Sequence, residues 1–189
     1  MLPLHLAEMF YKVFNYEITL HDFADLFYES YKDFEPYMCP DDYLELISFD
    51  FDNSYAMYEL HKLVKKHINL GEIETRKLLS LLDDARKKSD KTPYALEMLY
   101  HLYCDGYYFL QAIGLNYGLC VVVPYNNLGV NHWSELKKQD QEAILNRFYP
   151  KLTEECDRII SLLKNKTIVP MGERDEMGRY LYSGKLPEQ

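Results

Sequence analysis

Three titratable residues recur at intervals of four within an otherwise apolar stretch: Glu97, His101 and Asp105. If the stretch is helical, this spacing places all three side chains on one face of the helix. Burial of that face would perturb their pKa values in the way that acid–base catalysis or metal ligation requires. The pattern therefore raises the hypothesis of a helical enzyme or metal-binding protein. The alternative interpretation is a polar helix edge, on which the two carboxylates flank and orient His101.

Motifs for metals, cofactors and phosphate groups are absent from the sequence. It contains no HExxH motif, no Glu-x-x-His repeat, and no GxSxG, GxxxxGK or GxGxxG motif. The four cysteines form no CxxC pair, so zinc is not indicated and we expect reduced thiols at Cys39, Cys104, Cys120 and Cys156. We therefore expect no cofactor and no metal, which favours the polar-edge interpretation of the triad.

Negative charge is concentrated in the first third of the chain. Residues 1–60 contain 13 acidic and two basic residues, whereas the remaining 129 residues contain 17 acidic and 19 basic residues. The formal net charge of the whole chain is −9. Such a field repels nucleic-acid phosphates and attracts a basic surface. We therefore expect a basic protein partner and no binding of nucleic acid.

Much of this charge follows helical spacing. One predicted helix has an apolar stripe that includes Leu26, and opposite it lie Asp22, Asp25, Glu29 and Asp33. The next has an apolar side that is expected to include Leu44, and its acids are Asp41, Asp42 and Glu45. We call these seven acids, with the adjoining Tyr28, Tyr37 and Tyr43, the acidic surface. Because aromatic anchors ringed by charge are typical of protein interfaces, we predict that it binds the partner. The alternative is a solvated acidic face.

The general type, a small acidic helical protein without catalytic motifs, resembles immunity proteins that block bacterial toxins, nuclease inhibitors especially. This resemblance lies in charge and overall type, and it implies an inhibitor that occupies a cationic groove. The start of the chain, from Met1 to His5, has neither a basic region nor a cleavage site, so we expect a cytoplasmic protein. A structural or oligomeric module is a third hypothesis, and the sequence leaves the oligomeric state open.

The stretch from Thr92 to Pro124 is the longest span that is apolar on every side. Such a helix must be buried, so the sequence predicts a central helix over 93–118. Thr92 and Pro93 are expected to open it, and the β-branched residues 121–123 favour a short strand at its end. Interior polar residues and the lack of basic flanks argue against a membrane span over 107–125. We therefore expect no membrane association.

The sequence as a whole predicts a mainly α fold, a single-domain bundle of about seven to eight helices around the central helix. The helical domain is expected to cover residues 1–166, with residues 167–189 forming either a hairpin or an extended arm. Thr19 and Asp22 predict a capping box at the start of one helix. Trp133 follows a predicted loop at 125–131 and is interpreted as a staple on the core, with a binding hot spot as the alternative.

Overall fold

The computed structural model describes residues 1–124 and 130–185 of the chain. Within these ranges the protein is mainly helical and ends in a two-stranded antiparallel hairpin, which confirms the predicted fold class. Most of the predicted loop at 125–131 lies outside the described residues. None of the described helices is both long enough and apolar enough to cross a membrane.

The chain groups into two compact units, Met1–Ile73 and Glu74–Gln189, and each has a hydrophobic core of its own. The first unit contains 14 acidic and five basic residues, and the second contains 16 of each. The first unit therefore accounts for the whole net charge of −9. The expected division between a helical domain and a tail after residue 166 stays a prediction.

The first unit is built from short helices joined by 3₁₀ turns: α1 (Leu4–Phe14), α2 (Leu20–Ser30), α3 (Pro40–Ile47), α4 (Ala56–Val64) and the first residues of α5 (Leu70–Arg86), with turns at Tyr31–Asp33, Glu35–Tyr37 and Lys65–His67. Phenylalanine rings fill the space between these helices. The ring centroid of Phe10, which is fully buried, lies 5.0 Å from that of Phe23 and 5.7 Å from that of Phe34. Large rings give short helices enough buried area to form a core.

Helix α2 begins at the predicted capping box, which the structure confirms. The Asp22 backbone N–H donates to Thr19 Oγ1 at 3.1 Å, and the Thr19 backbone N–H donates to Asp22 Oδ2 at 3.2 Å. These reciprocal bonds satisfy donors that the first turn of a helix otherwise leaves unpaired. The capping box therefore sets the residue at which α2 begins, and with it which residues lie on the acidic side of the helix.

The second unit contains the rest of α5, four further helices, the single short turn α7 and the hairpin. The helices are α6 (Thr92–Cys104), α8 (Leu119–Val122), α9 (Lys138–Phe148) and α10 (Lys151–Lys164). The turn is α7 (Gln111–Ile113), and the strands are β1 (Ile168–Arg174) and β2 (Tyr180–Gly184). A π-helical segment, Gly114–Gly118, joins α7 to α8, and a 3₁₀ turn, Trp133–Glu135, precedes α9. Fully buried side chains of α6, α10 and β1, among them Leu96, Ile159 and Ile168, meet in its core.

The central stretch differs in detail from the predicted helix over 93–118. Helix α6 ends at Cys104, and the chain turns through Gly106, whose φ is +118°. The end is a local glycine cap, because the backbone N–H of Tyr107 donates to the Leu102 carbonyl oxygen at 3.0 Å across Gly106. The backbone N–H of Tyr180 in β2 also donates to the Asp105 carbonyl oxygen, at 2.7 Å. One side of α6 is exposed, and the predicted strand at 121–123 is instead the end of α8.

The hairpin belongs to the core of the second unit. Strand β1 pairs with β2 in antiparallel register, with Ile168 opposite Gly184 and Arg174 opposite Tyr180. The Tyr180 ring stacks on the fully buried Tyr107 with 4.8 Å between centroids. The sequence left a hairpin and an extended arm as alternatives, and burial of Ile168 and Tyr180 explains why the hairpin is the one adopted.

Candidate functional site

The residues of the catalytic or metal-binding hypothesis lie at the surface. The side chains of Glu97, His101 and Asp105 are 49%, 51% and 49% exposed. Glu97 Oε1 lies 4.0 Å from His101 Nε2, whereas Asp105 Oδ2 lies 3.9 Å from Arg174 Nη2 instead. Among the described residues, no three His, Cys, Asp or Glu side chains could hold one metal ion. The burial on which an acid–base role depended is therefore missing, and the arrangement matches a polar helix edge.

The solvent side of α2 presents acids of the acidic surface that have no strong internal partner. Asp25 and Glu29 are exposed on α2, and Asp33 is exposed on the turn that follows. Asp25 Oδ2 lies 3.9 Å from His21 Nε2, and in the described parts of the chain no basic side chain pairs with Glu29 or Asp33. These carboxylates are available to a partner.

Asp22 has a structural role at the start of the same helix. Its Oδ2 accepts a hydrogen bond from the Thr19 hydroxyl at 2.6 Å. This bond and the one from the Thr19 backbone lower the pKa of Asp22, since both favour the charged carboxylate. Asp22 is exposed, yet its Oδ2 accepts both of these hydrogen bonds from Thr19, so we assign it to helix capping within the acidic surface.

The structure removes Asp42 from the exposed part of the acidic surface. Only 7% of Asp42 is exposed, and its carboxylate lies 2.7 Å from both Lys66 Nζ and His67 Nε2. Hydrogen bonds from the side chains of Cys39, Lys66 and His67 hold the pKa of Asp42 far below its ordinary value. Asp42 therefore joins α3 to the turn at Lys65–His67 and is not among the exposed carboxylates.

The solvent side of α3 carries the other two acids. Asp41 and Glu45 are exposed, and among the described residues neither has an ion-pair partner within 4 Å. Glu45 also lines an open cleft of 630 Å³ that contains Lys62 and Lys66. Helix α3 thus adds two accessible carboxylates to those of α2.

The tyrosines of the acidic surface differ in how much of each ring is accessible. Tyr28 and Tyr37 are 50% and 47% exposed, and the Tyr28 ring rests edge-on against Phe51 with 5.9 Å between centroids. Tyr43 is partly buried, and this burial is the main cause that raises its pKa. The negative charge of the nearby Glu35 raises the pKa of Tyr43 further. Because Glu35 is close enough to act on Tyr43, the turns that follow α2 adjoin α3. Tyr28 and Tyr37 are the accessible aromatic contacts.

Two exposed leucines lie among these acids, although the sequence pattern had assigned both to the core. Leu26 on α2 is 44% exposed and Leu44 on α3 is 57% exposed. The sequence contains the signal for this in α3. If Leu46 is placed on the buried side, Asp42, one turn earlier, lies on the same side and Leu44 lies on the opposite, exposed side. Each acidic helix therefore presents an apolar side chain beside its carboxylates.

Comparison of the chain with protein-family models, with curated proteins and with solved structures found no match.

Proposed function

We propose that this protein is an inhibitor of the immunity type, which binds the basic surface of a protein partner. The partner class is a cationic protein whose substrate is negatively charged, such as a toxin nuclease. Carboxylates of α2 and α3 take the positions that substrate phosphates would occupy, so that the bound inhibitor blocks the groove.

One observation carries this proposal: accessible carboxylates without strong internal partners surround an exposed leucine on each of two helices. On α2, Leu26 is 44% exposed beside Asp25 and Glu29. On α3, Leu44 is 57% exposed beside Asp41 and Glu45. A single exposed leucine is common on soluble proteins, so the support comes from its position beside accessible carboxylates on both helices. An interface uses both groups, because charge speeds the encounter and apolar burial slows dissociation.

The contact residues are a revised set of the acidic surface. Exposed carboxylates, leucines and tyrosines make the contact: Asp25, Glu29, Asp33, Asp41, Glu45, Leu26, Leu44, Tyr28 and Tyr37. Asp22 and Asp42 hold α2 and α3 in place through the capping box and the Lys66 pair. Their loss should therefore affect folding before it affects binding.

Charge reversal on α2 tests the proposal. The immobilised wild-type protein and the Asp25→Lys/Glu29→Lys variant are used to capture proteins from the source cell. We expect a cationic protein in the wild-type fraction only, and its association rate constant should fall at least tenfold between about 50 and 500 mM salt, as for steered complexes.

The matched control is Glu154→Lys/Glu176→Lys, which makes the same change in net charge on exposed residues of the second unit. It should capture the same partner as the wild-type protein. Circular dichroism of all three proteins checks that each is folded. Equal capture by the α2 variant, or association that does not depend on salt, would overturn the proposal.

A further inference from the structure

The second unit contains an open groove of 680 Å³ that lies outside the acidic surface. The start of α6, the end of α8, the Trp133 turn and one face of α9 line it, with Val121 and Leu145 among its apolar residues. Its volume lies within the range of about 300–1,000 Å³ that is usual for ligand sites in proteins. The chemistry of the lining indicates what the groove would accept.

Two large aromatic side chains and the imidazole of His132 line the groove. Tyr94 on α6 is 62% exposed, and Trp133 is partly buried against the core of the second unit. Gln141 Nε2 fixes the Trp133 turn by donating to the carbonyl oxygens of Trp133 at 3.0 Å and Leu136 at 3.1 Å. Aromatic faces attract cations through the ring quadrupole, tryptophan most strongly.

The charged side chains of the groove have an excess of carboxylates. The lining contains the carboxylates of Asp90, Glu97 and Glu142 and the ammonium group of Lys138. Across the described residues, Asp90 and Glu142 have no ion-pair partner, and Glu97 reaches only His101, at 4.0 Å. Because the second unit as a whole carries equal numbers of acids and bases, this negative charge is a local property of the groove.

Helical elements hold these groups in place. Thr92, at the first turn of α6, is fully buried; its Oγ1 accepts from the Ser89 N–H at 2.9 Å and donates to the Asp84 carbonyl oxygen at 3.2 Å. Tyr94 and Glu97 follow at a spacing of three and share one side of α6. The groove is therefore preorganised, which lowers the entropic cost of binding.

We propose that this groove binds the guanidinium group of an arginine side chain presented by another polypeptide. A metal ion would need carboxylates that converge, and no three suitable side chains do so in the described ranges. The carboxylates lie around an aromatic groove instead, which suits a planar cation with spread charge. Guanidinium stacks on aromatic rings and offers five N–H donors, whereas the ammonium of lysine is a compact and strongly hydrated charge.

Trp133 is the only tryptophan of the chain, so intrinsic fluorescence excited at 295 nm, as is usual for tryptophan, reports on this groove. The probe is N-acetyl-arginine amide, and its neutral isostere N-acetyl-citrulline amide is the control ligand. We expect a saturable change in Trp133 emission with the arginine derivative and none with the citrulline derivative. Equal responses to the two compounds, or no saturable response to the first, would overturn the proposal.

Substitution of the carboxylates gives an independent test. Glu97→Gln/Glu142→Gln should weaken binding of the arginine derivative by about tenfold, since each of these two surface carboxylates is expected to contribute about threefold. Glu154→Gln/Glu176→Gln, with the same charge change on exposed residues away from the groove, should bind as the wild type does. If circular dichroism shows that the double variant is unfolded, the single variants are used, each with an expected loss of about threefold.

The inference stands apart from the proposed function, and one variant separates the two. Asp25→Lys/Glu29→Lys changes the first unit only and should leave binding of N-acetyl-arginine amide unchanged. Loss of partner capture with intact arginine binding supports both proposals. Wild-type affinity in the Glu97→Gln/Glu142→Gln variant, with partner capture still dependent on Asp25 and Glu29, would overturn the arginine site alone.

Discussion

At the level of single residues, comparison of Asp42 with Asp41 distinguishes a carboxylate that has a structural role from one that is accessible to a partner. Its neighbour Asp41 has the same side chain and lies in the same first turn of α3, yet Asp41 is exposed and Asp42 is 7% exposed. Lys66 and His67, each 2.7 Å from the Asp42 carboxylate, make that burial tolerable. A buried carboxylate without such partners would be strongly unfavourable.

We predict that Asp42→Asn lowers the stability of the protein at pH 7 and that the loss becomes smaller in acid. The folded state holds the pKa of Asp42 below its ordinary value of 3.8, so the charged form is the one that stabilises the fold. That contribution is complete above about pH 5 and is lost as the pH falls through the folded-state pKa. Urea unfolding of the wild-type and variant proteins at pH 7, 5 and 3 measures the difference.

The neighbouring Asp41→Asn is the control for this experiment, because Asp41 is exposed and has no ion-pair partner among the described residues. It should match the wild-type protein at every pH. A difference between Asp42→Asn and the wild type that is as large at pH 3 as at pH 7 would contradict the assigned role of the Lys66 and His67 contacts.

Residue-scale prediction from the sequence succeeded where the cause was local. Thr19 and Asp22 form the predicted capping box because both partners lie within one turn. Asp42 could not be placed in the same way, since its partners Lys66 and His67 are 24 and 25 residues away. Leu44 was misassigned because an apolar residue on a short helix was taken as core without asking which side the helix buries.

At the level of elements, the π-helical segment Gly114–Gly118 depends on close packing against α6. A Cβ atom on Gly118 would lie 2.6 Å from the Leu96 carbonyl oxygen and 2.8 Å from Tyr100 Cβ. A Cβ atom on Gly114 would approach Tyr103 Cβ at 3.1 Å. Gly118 thus allows close approach to the α6 backbone, whereas a Cβ atom on Gly114 would require the Tyr103 side chain to shift by a few tenths of an ångström.

We predict that Gly118→Ala destabilises the protein by up to about 2 kcal/mol. Overpacking against the α6 backbone costs roughly 1–3 kcal/mol, and the better helix propensity of alanine returns about 1 kcal/mol. Gly114→Ala makes the same change in propensity within the same segment, and it should be close to neutral. Chemical denaturation of both variants measures the free energies of unfolding, and equal losses would show that the Leu96 contact is not the cause.

Element boundaries were predictable where they follow from sequence alone. Helix α10 begins at Lys151, directly after Pro150, and ends at Lys164 as its apolar spacing indicates. The end of α6 also had a local signal, the glycine cap at Gly106, although the apolar residues beyond it favoured a longer helix. The groove beside Trp133 was missed because α6 and α9, which line it, are distant in sequence. The alternative of a hot spot at Trp133 was the one signal for it.

At the scale of the whole molecule, charge is divided unevenly between the two units. The first unit carries the net charge of −9 and the second is balanced, with 16 acids and 16 bases. Exposed acids at a spacing of four, such as Asp25 and Glu29, repel each other and cost a helix roughly 0.2–0.5 kcal/mol per pair. Retaining that repulsion in the first unit is what the proposed interface requires, because a neutralised surface would not steer a cationic partner.

We therefore predict that salt stabilises the first unit more than the second. Raising NaCl from about 20 to 500 mM shortens the Debye length from roughly 20 Å to 4 Å and screens the repulsion among the exposed acids. The midpoint of thermal unfolding followed by far-UV circular dichroism, to which both units contribute helices, should rise with salt. The midpoint followed by Trp133 fluorescence, which reports on the balanced second unit, should move less.

Asp25→Asn/Glu29→Asn should reduce the effect of salt on the midpoint followed by circular dichroism, whereas Glu154→Gln/Glu176→Gln should leave that effect unchanged. A lower midpoint at high salt would show that attractive ion pairs outweigh the repulsion among the exposed acids, which would contradict this prediction.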